Sequence, residues 1–371
     1  MKIAPFVQAI EVHNRNSRLT IDHLLVHTGQ HYDDKMSRSF FQALGIPEAD
    51  INLGIGSGTH AEQVGQTMMA FEKVVRDHKP DWIVVVGDVN ATCACSITAK
   101  KENVRLAHIE AGLRSGDMTM PEEVNRLVTD RLSDLLLTPD RLSAENLRRE
   151  GVSEDKIRFV GNIMIDTLVA NKDKAAYLNV TDILRDNRIG SPLPPNTIKQ
   201  LSNGFAVVTL HRPSNVDDKS VLSAVVDFLM NEVATEIPLL WTVHPRTMER
   251  LKEFNLLERI LGSSTLILLN PLGYHEMLRL KMDARIMFTD SGGLQEECCF
   301  LGTPCLTMRW NTERPITLKE NGGASILVGN EIQNVSVAFH NALHETKKPV
   351  CPDLWDGKTA PRIVRAIIEA I

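Results

Sequence analysis

The sequence predicts an α/β protein built from two doubly wound domains. Three observations carry that prediction. The chain has 371 residues, more than one ordinary hydrophobic core organises. Short apolar runs alternate with amphipathic stretches, the pattern of βαβ units around a parallel sheet. The alternation breaks off at a turn-rich stretch and then starts again.

The elements follow in order. Residues 4–13 read as a helix with no strand ahead of them, although a doubly wound domain normally opens with a strand whose loop faces the ligand. HLLVHT, WIVVVG, VRLAHIEA and LLLTP are uninterrupted apolar runs of strand length, each near a turn signal, as buried parallel strands require. Between the first two lies AEQVGQTMMAFEKVVRDH, apolar at helical spacing. GIGSGTH at 54–60 looks like a dinucleotide loop, but it follows DINL and its spacing fails, so it reads as a flexible loop. Residues 166–204, with NKDKAAYLNVTD and IGSPLPPN, read as a connector because Pro and Gly cluster there. Six further strand candidates follow: FAVVTLH, PLLWTVHP, LILLNPL, ARIMFTD, PCLTMR and ASILVG. APRIVRAIIEAI closes the chain as an amphipathic helix, which in such folds can cross back onto the first domain. The expected division is therefore 1–165, a connector 166–204, a second domain 205–350, and a C-terminal helix in 351–371.

Composition narrows the function. Hydrophobic residues make up 43% and charged residues 24%, ordinary for a globular protein. The net charge of −6 disfavours an extended nucleic-acid footprint. No apolar run is long enough to cross a bilayer, and MKIAPFVQAIEVHN lacks the apolar core of a signal peptide. The six cysteines form no CxxC pair and sit in apolar surroundings such as ATCACSI and EECCFLG. They read as buried free thiols, which places the chain in a reducing cytoplasm. HExxH, GxSxG and a strand-led GxGxxG are all missing, so no metal and no dinucleotide is expected.

Several motifs sit where strands end and ligands bind. Asp290-Ser291-Gly292-Gly293 follows ARIMFT and opens a helical stretch. Glycines there let a phosphate approach free N–H groups, Ser291 adds a hydroxyl, and Glu297 one turn on could accept from a ribose. The alternative is an ordinary cap by Asp290 or Ser291. Glu110 ends a strand in HIEAGLR; it is either a working carboxylate or a partner of Arg114. Glu122 and Arg126 in PEEVNR are four apart, so they share a helix face and can form a surface ion pair. Asp88 after WIVVVG is a ligand-facing acid or a helix cap. His211-Arg212 and His244-Pro245-Arg246 follow two strands in matching positions, suiting phosphate binding or proton transfer better than a lone His would. Arg314 in NTERP holds an anion or lies on the surface.

Taken together, GDVNAT, HIEAGLR, MPEEVNR, LHRPSNVDD, TVHPR, DSGGLQEE and NTERP stand in an order that resembles the non-hydrolysing UDP-N-acetylglucosamine 2-epimerases, from about residue 2 to the end. The resemblance implies two Rossmann-like domains of glycosyltransferase-B type with the ligand cleft between them, and a homodimer. It implies conversion of UDP-N-acetylglucosamine to UDP-N-acetylmannosamine by anti elimination of UDP to a 2-acetamidoglucal and re-addition, with no cofactor. It implies roles for single residues. Asp88, Glu110 and Glu122 are the carboxylates near the sugar, and His211 is an acid on the leaving-group side. Lys2, Arg126, His244 and Arg314 are substrate or phosphate contacts. Ser291, Gly292 and Gly293 form the diphosphate cradle, and Glu297 is the ribose anchor.

The chain also departs from that pattern. Members open with a strand and a G-T/A-R-P-E/Q loop before the helix that begins here at Lys2, so a longer N-terminal form is expected. Ser214 and Ile316 stand where Glu is frequent. GQHYDDKMSRSFF differs from members activated by their own substrate, so such activation is not expected; it is equally compatible with enzymes acting on UDP-2,3-diacetamido sugars. Two other readings remain: a glycosyltransferase of the same fold, and a UDP-sugar-binding protein without turnover.

Overall fold

The computed structural model describes residues 1–29, 44–191 and 195–370. Most of GQHYDDKMSRSFF and part of IGSPLPPN lie outside the described residues. The chain divides into two compact units, Met1–Ala170 with Pro352–Ile371, and Asn171–Cys351.

In the first unit β1 (Val26–His27) and β2 (Ile51–Asn52) form a short parallel pair. A separate four-stranded parallel sheet runs β3 (Trp82–Val86), β4 (Arg105–Ile109), β5 (Leu135–Thr138), β6 (Ile157–Phe159), in that order. Side chains alternate across it as strand geometry demands. Ile83, Val85 and Leu106 face one cluster with Phe71 and Val75 of α2 (His60–His78) and Cys95 and Ala99 of α3 (Asn90–Lys101). Ala107, Ile109 and Leu137 face the other, where Phe6 and Ile10 of α1 (Ile3–Asn16) meet Ile363, Val364 and Ile367 of the C-terminal helix Thr359–Glu369. Two more helices, α4 (Pro121–Leu132) and α5 (Arg141–Arg149), complete this frame.

The second unit holds one six-stranded parallel sheet: β7 (Ala206–Thr209), β8 (Leu239–Thr242), β9 (Leu266–Leu269), β10 (Ile286–Thr289), β11 (Cys305–Thr307) and β12 (Ser325–Leu327). Its order is β12-β11-β10-β7-β8-β9. Read from the other edge this is third, second, first, fourth, fifth, sixth, the doubly wound order, and it reverses between β7 and β10. Every residue of β8, β9 and β10 is buried, as a sheet covered on both faces requires. Trp241, Phe228, Phe288 and Phe339 fill one side, with edge-to-face contacts between Phe228 and both other phenylalanines. The helices that matter for the site are α6 (Pro245–Glu253), α7 (Tyr274–Asp283) and α8 (Gly292–Leu301).

Three expectations need correcting. Residues 171–204 belong to the second unit: Ile183, Leu184 and Leu201 lie in its core with Val207 and Leu240, and Ile189 donates its N–H to Leu268 O at 2.9 Å. GIGSGTH is not simply a loose loop. Its Thr59 caps α2, accepting from Glu62 N while Glu62 accepts from Thr59 N at 2.8 Å, a capping box. HLLVHT supplies only the two-residue β1.

Candidate active site

The switch point of the second unit lies between the ends of β7 and β10. There the chain places His211-Arg212 and Asp290-Ser291-Gly292. Asp290 is fully buried. Its Oδ2 accepts the backbone N–H of His211 (2.9 Å) and Arg212 (2.8 Å) and Nδ2 of Asn215 (3.0 Å). Its Oδ1 lies 2.8 Å from His211 Nδ1. Burial pushes the Asp290 carboxyl up, but His211 and these N–H groups outweigh it and hold the group below the usual carboxylate range. The His211 ring stands 5.4 Å from the ring of His244. His244 caps α6, its Nδ1 accepting from Arg246 N at 3.2 Å. Burial, then the charge of His211, lower the His244 pKa.

Ser291 is the N-cap of α8 and makes no side-chain cap bond, nor does Asp290 cap it. The first turn, Ser291, Gly292 and Gly293, is half-buried and carries no side-chain cap, and the positive end of a helix favours an anion. Gly292 has a second reason to be glycine: a Cβ there would overlap Glu313 Oε1. Glu313 is itself buried and accepts from Arg309 Nη2 at 2.8 Å. Burial raises its pKa, but Arg314 and Arg309 more than reverse that and hold it far below the usual range.

Two residues of this unit sit differently from expectation. Glu297 is 1% exposed, with Oε1 accepting from Tyr274 OH at 3.0 Å and Oε2 paired with the buried Lys281. It is an internal ion pair between α7 and α8, not an open ribose acceptor. Arg314 is also buried, its Nε 2.7 Å from Glu296 Oε1, so it is neither a surface arginine nor an unengaged phosphate ligand.

In the first unit the acids gather at the adjoining ends of β3 and β4. Gly87 and Glu110 both adopt φ +74. Left-handed backbone at a non-glycine residue costs about 1–3 kcal/mol and persists where surrounding bonds enforce it. Here Glu110 N donates to Leu137 O at 3.1 Å, and Gly87 N donates to Ile109 O at 3.1 Å. The turn aims Glu110 at Lys2, whose Nζ pairs with Glu110 Oε2. An added Cβ on Gly87 would lie 3.2 Å from Lys2 Nζ, so the glycine backs this pair closely. Glu110 Oε1 is buried and has no hydrogen-bond partner among the described residues. Asp88 accepts from Arg126 Nε at 3.0 Å, and its carbonyl accepts from Asn125 Nδ2 at 2.9 Å. Glu122 is half-buried in the first turn of α4, and no hydrogen bond or ion pair engages its carboxylate among the described residues.

Both simple pairings suggested by spacing are overturned. Arg126 is buried and pairs with Glu123, not Glu122; Glu123 also accepts from Ser115 N (3.0 Å) and Gly116 N (2.9 Å). Arg114 pairs not with Glu110 but with Asp130 (2.6 Å) and Glu150 (2.7 Å). Sequence reasoning also missed the buried His108. Its Nδ1 lies 2.6 Å from Asp130 and its Nε2 2.9 Å from Gly87 O, tying the Gly87 turn to α4. Burial raises the Asp130 pKa, yet His108 and Arg114 leave it depressed overall. The missing signal was the i,i+3 spacing of Glu123 and Arg126, as good as i,i+4 on a helix.

Residues 13–368 match the sequence family described as UDP-N-acetylglucosamine 2-epimerase. A UDP-N-acetylglucosamine 2-epimerase of Methanocaldococcus jannaschii is 39% identical over 368 residues, 99% of this chain and 95% of that protein. A UDP-2,3-diacetamido-2,3-dideoxy-D-glucuronate 2-epimerase of Pseudomonas aeruginosa is also 39% identical, over 94% of this chain and 92% of that protein. The crystal structure of the M. jannaschii enzyme in complex with UDP-GlcNAc and UDP superposes with a TM-score of 0.84 at 38% identity, covering 99% of this chain and 96% of that one. With the doubly wound second unit and the acids of the first already in place, the extent of these matches settles the assignment: the chain belongs to the UDP-N-acetylglucosamine 2-epimerase family.

Proposed function

We propose that the chain interconverts UDP-N-acetylglucosamine and UDP-N-acetylmannosamine. The observation that carries this reading is Glu110: a buried carboxylate in strained backbone, one oxygen paired with Lys2 and the other unpartnered. A carboxylate so placed has a task rather than a packing role. In the proposed reaction one acid of the set Asp88, Glu110 and Glu122 removes the C2 proton. The C–H electron pair forms the C1–C2 double bond while the C1–O bond breaks, and UDP leaves with the C1–O bonding pair. Positive charge developing at C1 is stabilised by the remaining carboxylates. Negative charge on UDP is stabilised by the N–H groups of Ser291, Gly292 and Gly293, by His211 as acid, and by His244. Return of a proton to the opposite face of C2, with UDP attacking C1, inverts the centre. Lys2 and Arg126 hold the Glu110 and Asp88 carboxylates in place through their ion pairs. Arg314 and Glu297 enter as supports of the anion-binding turn, through Glu296 and Lys281.

A second reading has a specific observation behind it. The P. aeruginosa enzyme named for a diacetamido-glucuronate is as similar to this chain as the M. jannaschii one. Both reactions need the same machinery and differ in substituents at C3 and C6. Incubation of each UDP-sugar in deuterated water separates them: the substrate gains deuterium at C2 together with its manno epimer. UDP release only with a sugar acceptor would instead make the protein a glycosyltransferase, and binding without exchange would make it a binding protein. A homodimer and a cytoplasmic location belong to the same proposal. Five of the six free cysteines are buried, and no helix among the described residues is long and apolar enough to cross a membrane. Light scattering of the purified protein measures the assembly state.

A further inference from the structure

One buried carboxylate joins the two halves of the switch point. Asp290 follows β10 directly before the anion-binding turn, yet its side chain does not cap α8. It reaches across to the loop after β7. There Oδ2 collects two backbone N–H groups and Asn215, Oδ1 meets His211 Nδ1, and the Asp290 carbonyl accepts from Arg212 Nε at 3.0 Å. Asn215 is held in turn by Met308 O at 2.9 Å. A purely structural acid at this position needs only the backbone bonds. The contact with the ring nitrogen adds chemistry. Asp290 Oδ1 accepts no hydrogen bond among the described residues and lies 2.8 Å from the ring nitrogen, so it has the capacity to take Nδ1–H, and an imidazole that gives Nδ1–H to a carboxylate keeps Nε2 as the nitrogen that takes and returns a proton.

We propose that Asp290 is a positioning residue: it fixes His211 in the Nδ1–H tautomer and orients Nε2 to exchange a proton with the departing diphosphate. The inference rests on the reading of His211 as the leaving-group acid. Groups facing the imidazole are Asp290 from β10, Arg212 beside it, and His244 at the start of α6 with Arg246 behind it.

The test is Asp290→Asn. We expect kcat to fall about 10²-fold or more, the scale of a positioned acid, with the UDP dissociation constant within about threefold. In a His211→Asn background the same change costs little more, because both act through one ring. Full additivity of the two changes overturns the proposal. Should Asp290→Asn not fold, ¹⁵N NMR of the histidines in the unaltered protein decides. A neutral His211 carrying its proton on Nδ1 supports the assignment, and one carrying it on Nε2 refutes it. That spectrum is read without turnover, so it stands apart from the C2 exchange assay on which the epimerase reading depends.

Discussion

At the scale of single residues, the site is a set of acids held by partners that lie far away in sequence. Lys2 and Glu110 are 108 positions apart, and Asp88 and Arg126 are 38 apart. No spacing rule links such pairs, so the identity of the acids could be read from the motifs while their partners could not. Where spacing did offer a pair, Glu122 with Arg126, the buried face of α4 chose Glu123 instead. Among the described residues that leaves the Glu122 carboxylate without a hydrogen bond or ion pair. Asp88→Asn, Glu110→Gln and Glu122→Gln are each expected to lower kcat by about 10²–10⁴-fold, the range for removal of a positioned acid or base. Circular dichroism and UDP affinity should stay near those of the unaltered protein. Unchanged turnover in all three would remove these acids from the chemistry. Glu297→Gln should instead lower thermal stability, since it leaves buried Lys281 unpaired.

At the scale of elements, the decisive features are turns at strand ends. The turn after β4 carries Glu110 at φ +74 and Gly112 at φ +83. A Cβ on Gly112 would overlap the backbone oxygen of Ser143 in α5, in addition to the strain of that φ. Gly112→Ala is therefore expected to destabilise the protein by about 2–4 kcal/mol, and to slow turnover by moving Glu110. Equal urea midpoints for variant and parent would count against this. The β-strands themselves were legible because both faces of the sheets are covered, which makes each strand a plain apolar run. The short β2 and β6 were not: Ile51–Asn52 and Ile157–Phe159 are too brief to stand out, and Arg158 is exposed. Helix α4 hid its buried face for the opposite reason, since Glu123, Asn125, Arg126, Thr129 and Asp130 are all polar.

At the scale of the whole chain, each unit carries its own buried acids held ionised: Asp130 in the first, Asp290 and Glu313 in the second. All three have folded-state pKa values below their ordinary ones. Their contribution to stability is therefore fully present above the unfolded values, 3.8 for Asp and 4.5 for Glu, and is lost as pH falls through the folded values. The urea midpoint should hold steady from about pH 7 to about pH 5 and drop below about pH 4. A midpoint that rose on acidification would contradict these assignments. The amino-acid sequence alone determined the α/β class, the two rounds of strand and helix, and the motifs that mark the family. Those follow from local patterns: apolar runs, turn residues, and short strings at strand ends. Only the tertiary structure decided that 171–204 belongs to the second unit, with Ile183, Leu184 and Leu201 in its core, that Glu297 and Arg314 turn inward, and which cation meets which acid. Such choices depend on which side chains share a buried space, and burial makes an unpaired charge too costly to leave to the nearest neighbour in sequence.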